Sequence, residues 1–157
     1  MNEFMRVAKD LSEYNLKTNS GGPFGAVIVK NCVIIGKGSN HVLANNDPTA
    51  HAEVMAIRDA CKNIGSYDLT GCELYTSCYP CPMCFSAIIW SNIKTIYYGN
   101  TKDDAADIGF RDSFIYDIID KLNKNESVDA LNLQCMDREE TIKAFNDFKN
   151  KSDKTIY

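Results

Sequence analysis

Two short motifs, each at the start of a predicted helix, constrain the fold of this chain more than any other feature. The first is His51-Ala52-Glu53, and the second is the pair Cys81 and Cys84, separated by two residues. Side chains in the first turn of a helix lean toward its N-terminal end, so both motifs can direct polar groups over a helix tip. We therefore expect a fold in which two helix N-termini meet, with one imidazole and two thiols between them.

These three side chains are a ligand set for zinc. Imidazole nitrogen and thiolate sulfur are donors that zinc prefers, and three protein ligands leave the fourth position for water. The unpaired N–H groups and the positive dipole end of a helix favour thiolate over thiol at Cys81 and Cys84. We predict one Zn²⁺ per chain, held by His51, Cys81 and Cys84.

Glu53 favours a catalytic site over a structural one. A structural zinc site needs only ligands, whereas a hydrolytic site also needs an acid–base group beside the water. Glu53 lies two residues after His51 in the same helical turn. We expect its carboxylate to take a proton from the water and to deliver it to the substrate. This combination of ligands and acid is typical of zinc deaminases, which replace an amino group on a heterocycle with oxygen.

Two further residues leave alternatives open. Cys78 precedes Cys81 by the same two-residue gap, and as a fourth ligand it would close the site and produce a structural zinc domain that binds a partner. Pro82 favours a helix start at Cys81, so that Cys78 lies before the helix. His41 lacks a paired acid and follows a polar residue, so we interpret it as a solvated loop residue.

Composition argues against several classes of function. A chain of 157 residues is long enough for one domain with a core, and 45% hydrophobic and 24% charged residues are ordinary for a soluble protein. The net charge of −4 argues against nucleic-acid binding along phosphates. No apolar run is long enough to span a membrane, and the N-terminal stretch does not resemble a signal peptide. With seven cysteines, an odd number, we predict a cytoplasmic protein with reduced thiols.

Strands and helices alternate along the sequence, which predicts an α/β domain. We expect three layers, α/β/α, around a central mixed five-stranded sheet. The predicted strands are residues 25–30, 33–38, 72–76, 94–98 and 130–136. The predicted helices are residues 4–16, 50–64, 82–90 and 137–150, with a short helix from Ser113. We expect Asp47 or Thr49 to cap the second helix and Gly65 to end it.

The motifs resemble those of the cytidine-deaminase-like superfamily of zinc deaminases. Longer stretches are similar to the bacterial guanine deaminases within it, and the similarity covers essentially the whole chain. These stretches are residues 21–29, 45–53, 75–84 and 109–116, together with the terminal Tyr157. The resemblance implies a central five-stranded sheet between helices. It also implies a reaction in which guanine and water give xanthine and ammonia.

The resemblance further implies roles for individual residues. Asn40 would hydrogen-bond the purine, Phe24 would pack on it, and Ala52 would contribute backbone contacts. Asp112 would be a second acid–base group near the departing amino group. From the residues alone, Asn40 could be a turn former, Phe24 an ordinary core residue and Asp112 a plain helix cap.

A homodimer is also implied by the resemblance. Residues 1–157 would form a single zinc deaminase domain, with residues 150–157 as a C-terminal tail exchanged between subunits. Tyr157 would then close the pocket of the partner. The sequence departs from the family pattern at Tyr79, where an acidic residue is expected, and residues 121–136 match poorly. These departures concern the rim of the pocket and the path of the exchanged segment.

Other substrates remain alternatives at this point. Guanosine, adenine, cytosine and a tRNA adenosine are all amines that zinc deamination could hydrolyse. A nucleoside needs room for its ribose, which a closing tail would block. A tRNA substrate needs basic side chains that bind its phosphates, and the net negative charge of the chain argues against it.

Overall fold

The computed structural model describes residues 1–156, and Tyr157 lies outside the described residues. The chain divides into two compact units, Met1–Tyr116 and Asp117–Tyr157. The strands are β1 (Gly25–Lys30), β2 (Val33–Ser39), β3 (Glu73–Cys78) and β4 (Thr95–Asn100). The helices are α1 (Glu3–Thr18), α2 (Val42–Asn45), α3 (Ala52–Ile64), α4 (Pro82–Trp90), α5 (Lys102–Asp107), α6 (Asp112–Asn123) and α7 (Arg138–Asn150).

One mixed sheet carries the first unit. Its strand order is β2-β1-β3-β4. β1 is antiparallel to both of its neighbours, and β3 is parallel to β4. The predicted α/β class with a mixed sheet is thus confirmed. The hairpin of β1 and β2 lies where the sequence predicted it.

The sheet has four strands in the described chain, which corrects the prediction of five. The predicted fifth strand, residues 130–136, has no regular secondary structure. Leu131 and Leu133 alternate with polar residues as in a strand, but their side chains are 52% and 74% exposed. An alternation of apolar and polar residues does not by itself form a strand. The backbone N–H and C=O groups of the segment need a neighbouring strand, and its apolar side chains need a surface to pack against.

Helices cover both faces of the sheet within the first unit. On one face, α1 packs against Val27, Val29 and Tyr75 through residues of its apolar stripe. On the other face, α3 and α4 pack against Ala26, Ile28 and Leu74. The α1 residues in contact are Phe4, Met5, Val7 and Leu11. The three-layer arrangement is therefore present in this unit.

Helix α3 lies unusually close to β2, and this sets the position of its N-terminus. A Cβ atom added at Gly38 would lie 2.2 Å from the carbonyl oxygen of Ala52 and 2.4 Å from the nitrogen of Ala56. Both alanines are completely buried. Small residues on the strand and on the helix allow the two backbones to touch, so α3 has no room to shift toward the sheet.

The start of α3 differs from the sequence prediction. Its N-cap is His51, and neither Asp47 nor Thr49 caps it. Asp47 instead closes the preceding turn, because its Oδ1 accepts hydrogen bonds from the Thr49 nitrogen at 2.8 Å and the Thr49 hydroxyl at 2.6 Å. Gly65 ends the helix with φ +67°, as predicted.

Two short helices were absent from the sequence prediction. One is α2, and the other is α5, which lies in a stretch of the chain for which no helix was predicted. A capping box starts α5: the Thr101 hydroxyl accepts from the Asp104 nitrogen, and the Asp104 carboxylate accepts from the Thr101 nitrogen. Among residues 1–156, no helix has the length and apolar character needed to cross a membrane.

Candidate active site

Two helix N-termini form the centre of the site, as the sequence predicted. His51 is the N-cap of α3 and Cys81 is the N-cap of α4, both with extended backbone conformations. Pro82 occupies the first turn of α4, where its missing N–H costs nothing. Neither residue makes a side-chain capping hydrogen bond, so the imidazole and the thiol remain available as ligands.

The three predicted ligands come together with a spacing that fits zinc. His51 Nδ1 lies 3.5 Å from Cys81 Sγ and 3.6 Å from Cys84 Sγ. A tetrahedral zinc ion with bonds of about 2.0 Å to nitrogen and about 2.3 Å to sulfur separates these atoms by about 3.5 Å. All three donor atoms lie within 4.8 Å of one another, and both thiols are buried. The site is therefore compatible with one zinc ion.

The two thiols differ in their affinity for a proton. The contacts with Cys84 and His51 together lower the pKa of Cys81 to about 4, against the effect of burial. The same contact with Cys81, together with burial, raises the pKa of Cys84. The hydrogen bond with Cys81 also raises the pKa of His51. The lowered pKa of Cys81 favours its thiolate before metal binds, and the raised pKa values of Cys84 and His51 mean that zinc competes with protons at these two ligands.

Glu53 lies at the same helix tip and is held in place by neighbouring donors. It is only 5% exposed. Its Oε1 accepts a hydrogen bond from the Thr76 hydroxyl at 3.0 Å, and its Oε2 accepts one from Cys84 Sγ at 3.3 Å. Burial raises the pKa of Glu53, and these hydrogen bonds oppose the rise. A carboxyl group that gains and loses a proton readily is suited to general acid–base catalysis.

A second carboxyl group faces the same cavity. Asp112 is the first residue of α6 and is half-buried. Burial raises the pKa of Asp112, the charge of Cys81 raises it further, and His51 lowers it. The residues that line the cavity are Phe24, His51, Glu53, Cys78, Tyr79, Cys81, Phe110 and Asp112. Two acids therefore border one cavity next to the metal ligands.

Aromatic rings form another side of this cavity. The rings of Phe24 and Phe110 meet edge to face, with centroids 4.7 Å apart. Tyr79 also lines the cavity and packs edge to face against Phe85 at 5.2 Å and Tyr98 at 5.1 Å. Flat apolar surfaces of this kind suit a planar heterocycle. Sequence reasoning did not single out Phe110, although it lies in the stretch 109–116 that carried the resemblance.

Asn40 and Ala52 do not line this cavity in the described chain. Asn40 is buried beside Phe24, whose carbonyl oxygen accepts a hydrogen bond from the Asn40 nitrogen at 3.1 Å. Its Oδ1 accepts from the Val42 nitrogen at 3.1 Å, and its carbonyl oxygen accepts from Asn15 Nδ2 at 2.7 Å. Ala52 is completely buried at the start of α3. Tyr157 lies outside the described residues.

The two alternative ligands are separate from the metal cluster in residues 1–156. The Cys78 thiol lines the cavity but donates to the carbonyl oxygen of Thr101 at 3.5 Å. Burial raises the pKa of Cys78 to about 11, so this thiol keeps its proton at neutral pH. His41 Nδ1 lies 2.8 Å from the carbonyl oxygen of Ser39, which accounts for one of its ring nitrogens.

Comparison with known proteins places this site in a family. The model of the cytidine and deoxycytidylate deaminase zinc-binding region matches residues 1–100. Guanine deaminase of Bacillus subtilis is 46% identical over 150 residues, which cover 96% of each chain. A tRNA-specific adenosine deaminase of Buchnera aphidicola subsp. Schizaphis graminum is 38% identical over 123 residues, which cover 78% of each chain.

A solved structure agrees with the sequence comparison. The crystal structure of Bacillus subtilis guanine deaminase covers 100% of this chain and 99% of its own, with a TM-score of 0.90. The family match extends across β1 to β4, the strands and intervening helices that hold the three ligands and Glu53. The chain belongs to the cytidine and deoxycytidylate deaminase zinc-binding family.

Proposed function

We propose that this protein hydrolyses guanine to xanthine and ammonia. The observation that carries the proposal is the buried Glu53 carboxyl beside a three-ligand zinc site. A carboxyl group at that place has no use in a purely structural site. The choice of guanine rests on the relative from Bacillus subtilis, which matches this chain over nearly its whole length.

Zinc bound at this site supplies a nucleophilic water at neutral pH, since the metal lowers the pKa of that water. The protein moves the protons. Glu53 takes one proton from the attacking water and passes it to N3 of the purine while the C–O bond forms at C2. Glu53 then takes the proton of the new C2 hydroxyl and, together with Asp112, delivers one proton to the 2-amino group, so that C2=O forms as the C–N bond breaks and ammonia leaves. Burial raises the pKa of both carboxyl groups, which favours the protonated form that each needs in order to donate a proton.

The polar and aromatic groups beside the cavity would orient the base. Phe24 and Phe110 offer ring surface to the purine. Because the Val42 nitrogen donates to Asn40 Oδ1, the Asn40 Nδ2 group remains to donate to a purine acceptor. The first backbone groups of α3, at Ala52, would complete the contacts.

We further propose a homodimer in which the tail, residues 150–157, is exchanged between subunits of a single deaminase domain. Tyr157 of one chain would close the pocket of the other. The C-terminal unit supports the idea through its many exposed apolar side chains, which a partner chain could cover. These are Leu131, Leu133, Met136, Phe145, Phe148 and Ile156. We place the protein in the cytoplasm, where thiol ligands stay reduced.

An ammonia-release assay over a panel of amines tests the substrate. The panel contains guanine, guanosine, adenine, cytosine and tRNA, each with zinc-loaded protein. We expect guanine to be the preferred substrate and Glu53→Ala to be inactive while still holding about one zinc per chain. Preference for a nucleoside or another base would contradict the guanine assignment, and activity of Glu53→Ala would remove Glu53 from the reaction.

A tRNA adenosine is the second candidate, because the relative from Buchnera aphidicola is named for that activity. The net charge of −4 opposes it, since binding of tRNA depends on neutralising phosphates with cations. The tRNA arm of the panel, measured at low and at high salt, decides between the two substrates.

A further inference from the structure

We propose that Tyr116 is a positioning residue for Asp112, and the inference rests on the proposed function of that carboxyl. The Tyr116 hydroxyl donates a hydrogen bond to the carbonyl oxygen of Pro80 at 2.9 Å. Pro80 is fully buried and immediately precedes the zinc ligand Cys81. One hydrogen bond thus joins helix α6 to the loop that carries a metal ligand.

The spacing within α6 transmits this contact to Asp112. Tyr116 follows Asp112 by four residues, so the two side chains lie on the same face of the helix, one turn apart. Fixing Tyr116 to Pro80 therefore fixes the direction in which the first residue of α6 projects. That direction is toward the cavity that Asp112 shares with His51 and Glu53.

Asp112 depends on such an anchor more than Glu53 does. Two side chains hydrogen-bond the Glu53 carboxyl, whereas within residues 1–156 no side chain hydrogen-bonds the Asp112 carboxyl. Asp112 is also at a helix end, where the backbone frays most easily. The position of Asp112 must therefore be set by residues on either side of it in the chain.

The two residues that hold Asp112 in place are Phe110 and Tyr116. Phe110, two residues earlier, packs its ring against Phe24 and restrains the loop that enters the helix. Tyr116 restrains the first helical turn. The Tyr116 ring lies 5.9 Å from Lys102 Nζ, and burial raises the pKa of its hydroxyl, so that the hydroxyl remains a donor.

The decisive variant removes one oxygen atom. Tyr116→Phe keeps the ring but loses the hydrogen bond to Pro80. Tyr75→Phe is the matched control, because the Tyr75 hydroxyl donates to Glu73 at 3.0 Å and Tyr75 does not line the cavity. We expect Tyr116→Phe to lower kcat for guanine by roughly 10- to 100-fold, with KM little changed, because small displacements of a catalytic group cost about this much. Tyr75→Phe should retain the kcat of the wild type.

Two readouts separate positioning from general damage. In an Asp112→Asn background, Tyr116→Phe should have almost no further effect on kcat, because the two residues act through one group. The zinc content and the absorption spectrum of the Co²⁺-substituted protein should be unchanged in Tyr116→Phe. The proposal is overturned if the loss of kcat is as large in the Asp112→Asn background, or if wild-type and Tyr116→Phe proteins have equal kcat.

Hydrogen exchange tests the anchor without a substrate. The hydrogen-bonded amides at the start of α6, from Ile115 onward, should exchange faster in Tyr116→Phe than in the wild type, and Tyr75→Phe should leave them unaffected. If the wild type fails to deaminate guanine, the proposed function fails, and the exchange measurement still decides whether Tyr116 holds the turn. Equal protection in Tyr116→Phe and wild type overturns the anchor.

Discussion

The two acids of the site are held in very different ways. Glu53 belongs to a buried centre, which we define as His51, Glu53, Thr76, Cys81 and Cys84. Asp112 belongs to a half-buried wall, which we define as Phe24, Phe110, Asp112 and Tyr116.

Hydrogen bonds to the acid and tight backbone packing fix the buried centre, whereas two separate contacts fix the wall. Two hydrogen bonds hold Glu53, and its helix is packed tightly on β2. The wall depends on a contact between two rings and on one tyrosine hydroxyl. Changes in the centre should therefore abolish the chemistry, and changes in the wall should weaken it.

Replacing Glu53 should have the largest effect. Glu53→Gln removes the proton carrier but keeps the shape of the side chain, and general acid–base groups contribute roughly 10²- to 10⁴-fold to rate. We expect kcat to fall by that factor while zinc content, measured by atomic emission, stays near one per chain. Glu73→Gln, a matched change outside the cavity, should keep its activity. A comparable loss in Glu73→Gln would indicate general damage.

Replacing Asp112 should have a smaller effect than replacing Glu53. We expect Asp112→Asn to lower kcat by about 10²-fold, at the lower end of the range for an acid–base group. Zinc content should be unaffected, since Asp112 is not a ligand. The control is Asp103→Asn on α5, where the carboxylate is exposed. If Asp112→Asn loses as much activity as Glu53→Gln, the two acids are equally essential and the contrast between centre and wall does not hold.

Zinc affinity should rise with pH, and this tests the proton balance of the centre. The raised pKa values of His51 and Cys84 mean that zinc must displace a proton from each. Below the pKa of His51, which lies above 6.5, affinity should increase about 100-fold per pH unit, and above it about 10-fold. Competition with a chromophoric chelator measures this slope. His41→Asn should leave it unchanged, and a flat profile would refute the assigned protonation states.

Removing the residues after Asn150 should lower activity several-fold, because an exchanged tail would no longer exclude water from the cavity. Zinc content and the thermal unfolding of the first unit should change little. The measurement is kcat for guanine together with the molar mass from light scattering. A truncated dimer with full activity would argue against the exchanged tail.

The smallest effect is expected at Cys78. Its protonated thiol donates to Thr101 and is not one of the clustered ligands, so Cys78→Ser should keep about one zinc per chain. Cys84→Ser is the comparison and should lose most of its zinc. Loss of zinc from Cys78→Ser would restore the structural alternative, in which Cys78 closes the coordination sphere.

The three ligands and the acid of the buried centre could be predicted from the sequence because they belong to local patterns, whereas Thr76, which lies on β3 and far from Glu53 in the chain, was missed. The Cys-x-x-Cys spacing and the histidine two residues before Glu53 determine geometry within single helical turns. The placement of His51 and Cys81 at helix N-termini is confirmed. Next to this centre, the predicted cap of α3 was wrong, because Asp47 hydrogen-bonds Thr49 within the preceding turn.

The wall could not be predicted in the same way. Asp112 was identified only through resemblance, and Phe110 was missed, because both reach the cavity through contacts between segments far apart in the chain. The helix α5 was missed because its capping box lies in a polar stretch. The fifth strand was predicted from alternation, which does not reveal whether a neighbouring strand exists.

The tight seating of α3 on Gly38 has a consequence for how such an enzyme could change its substrate. His51 and Glu53 lie on a helix that has almost no room to move, whereas Phe110 and Asp112 are each held by a separate contact that a single substitution could change. New substrate specificities could therefore evolve through single substitutions in the wall, while the packing of α3 on β2 stays unchanged.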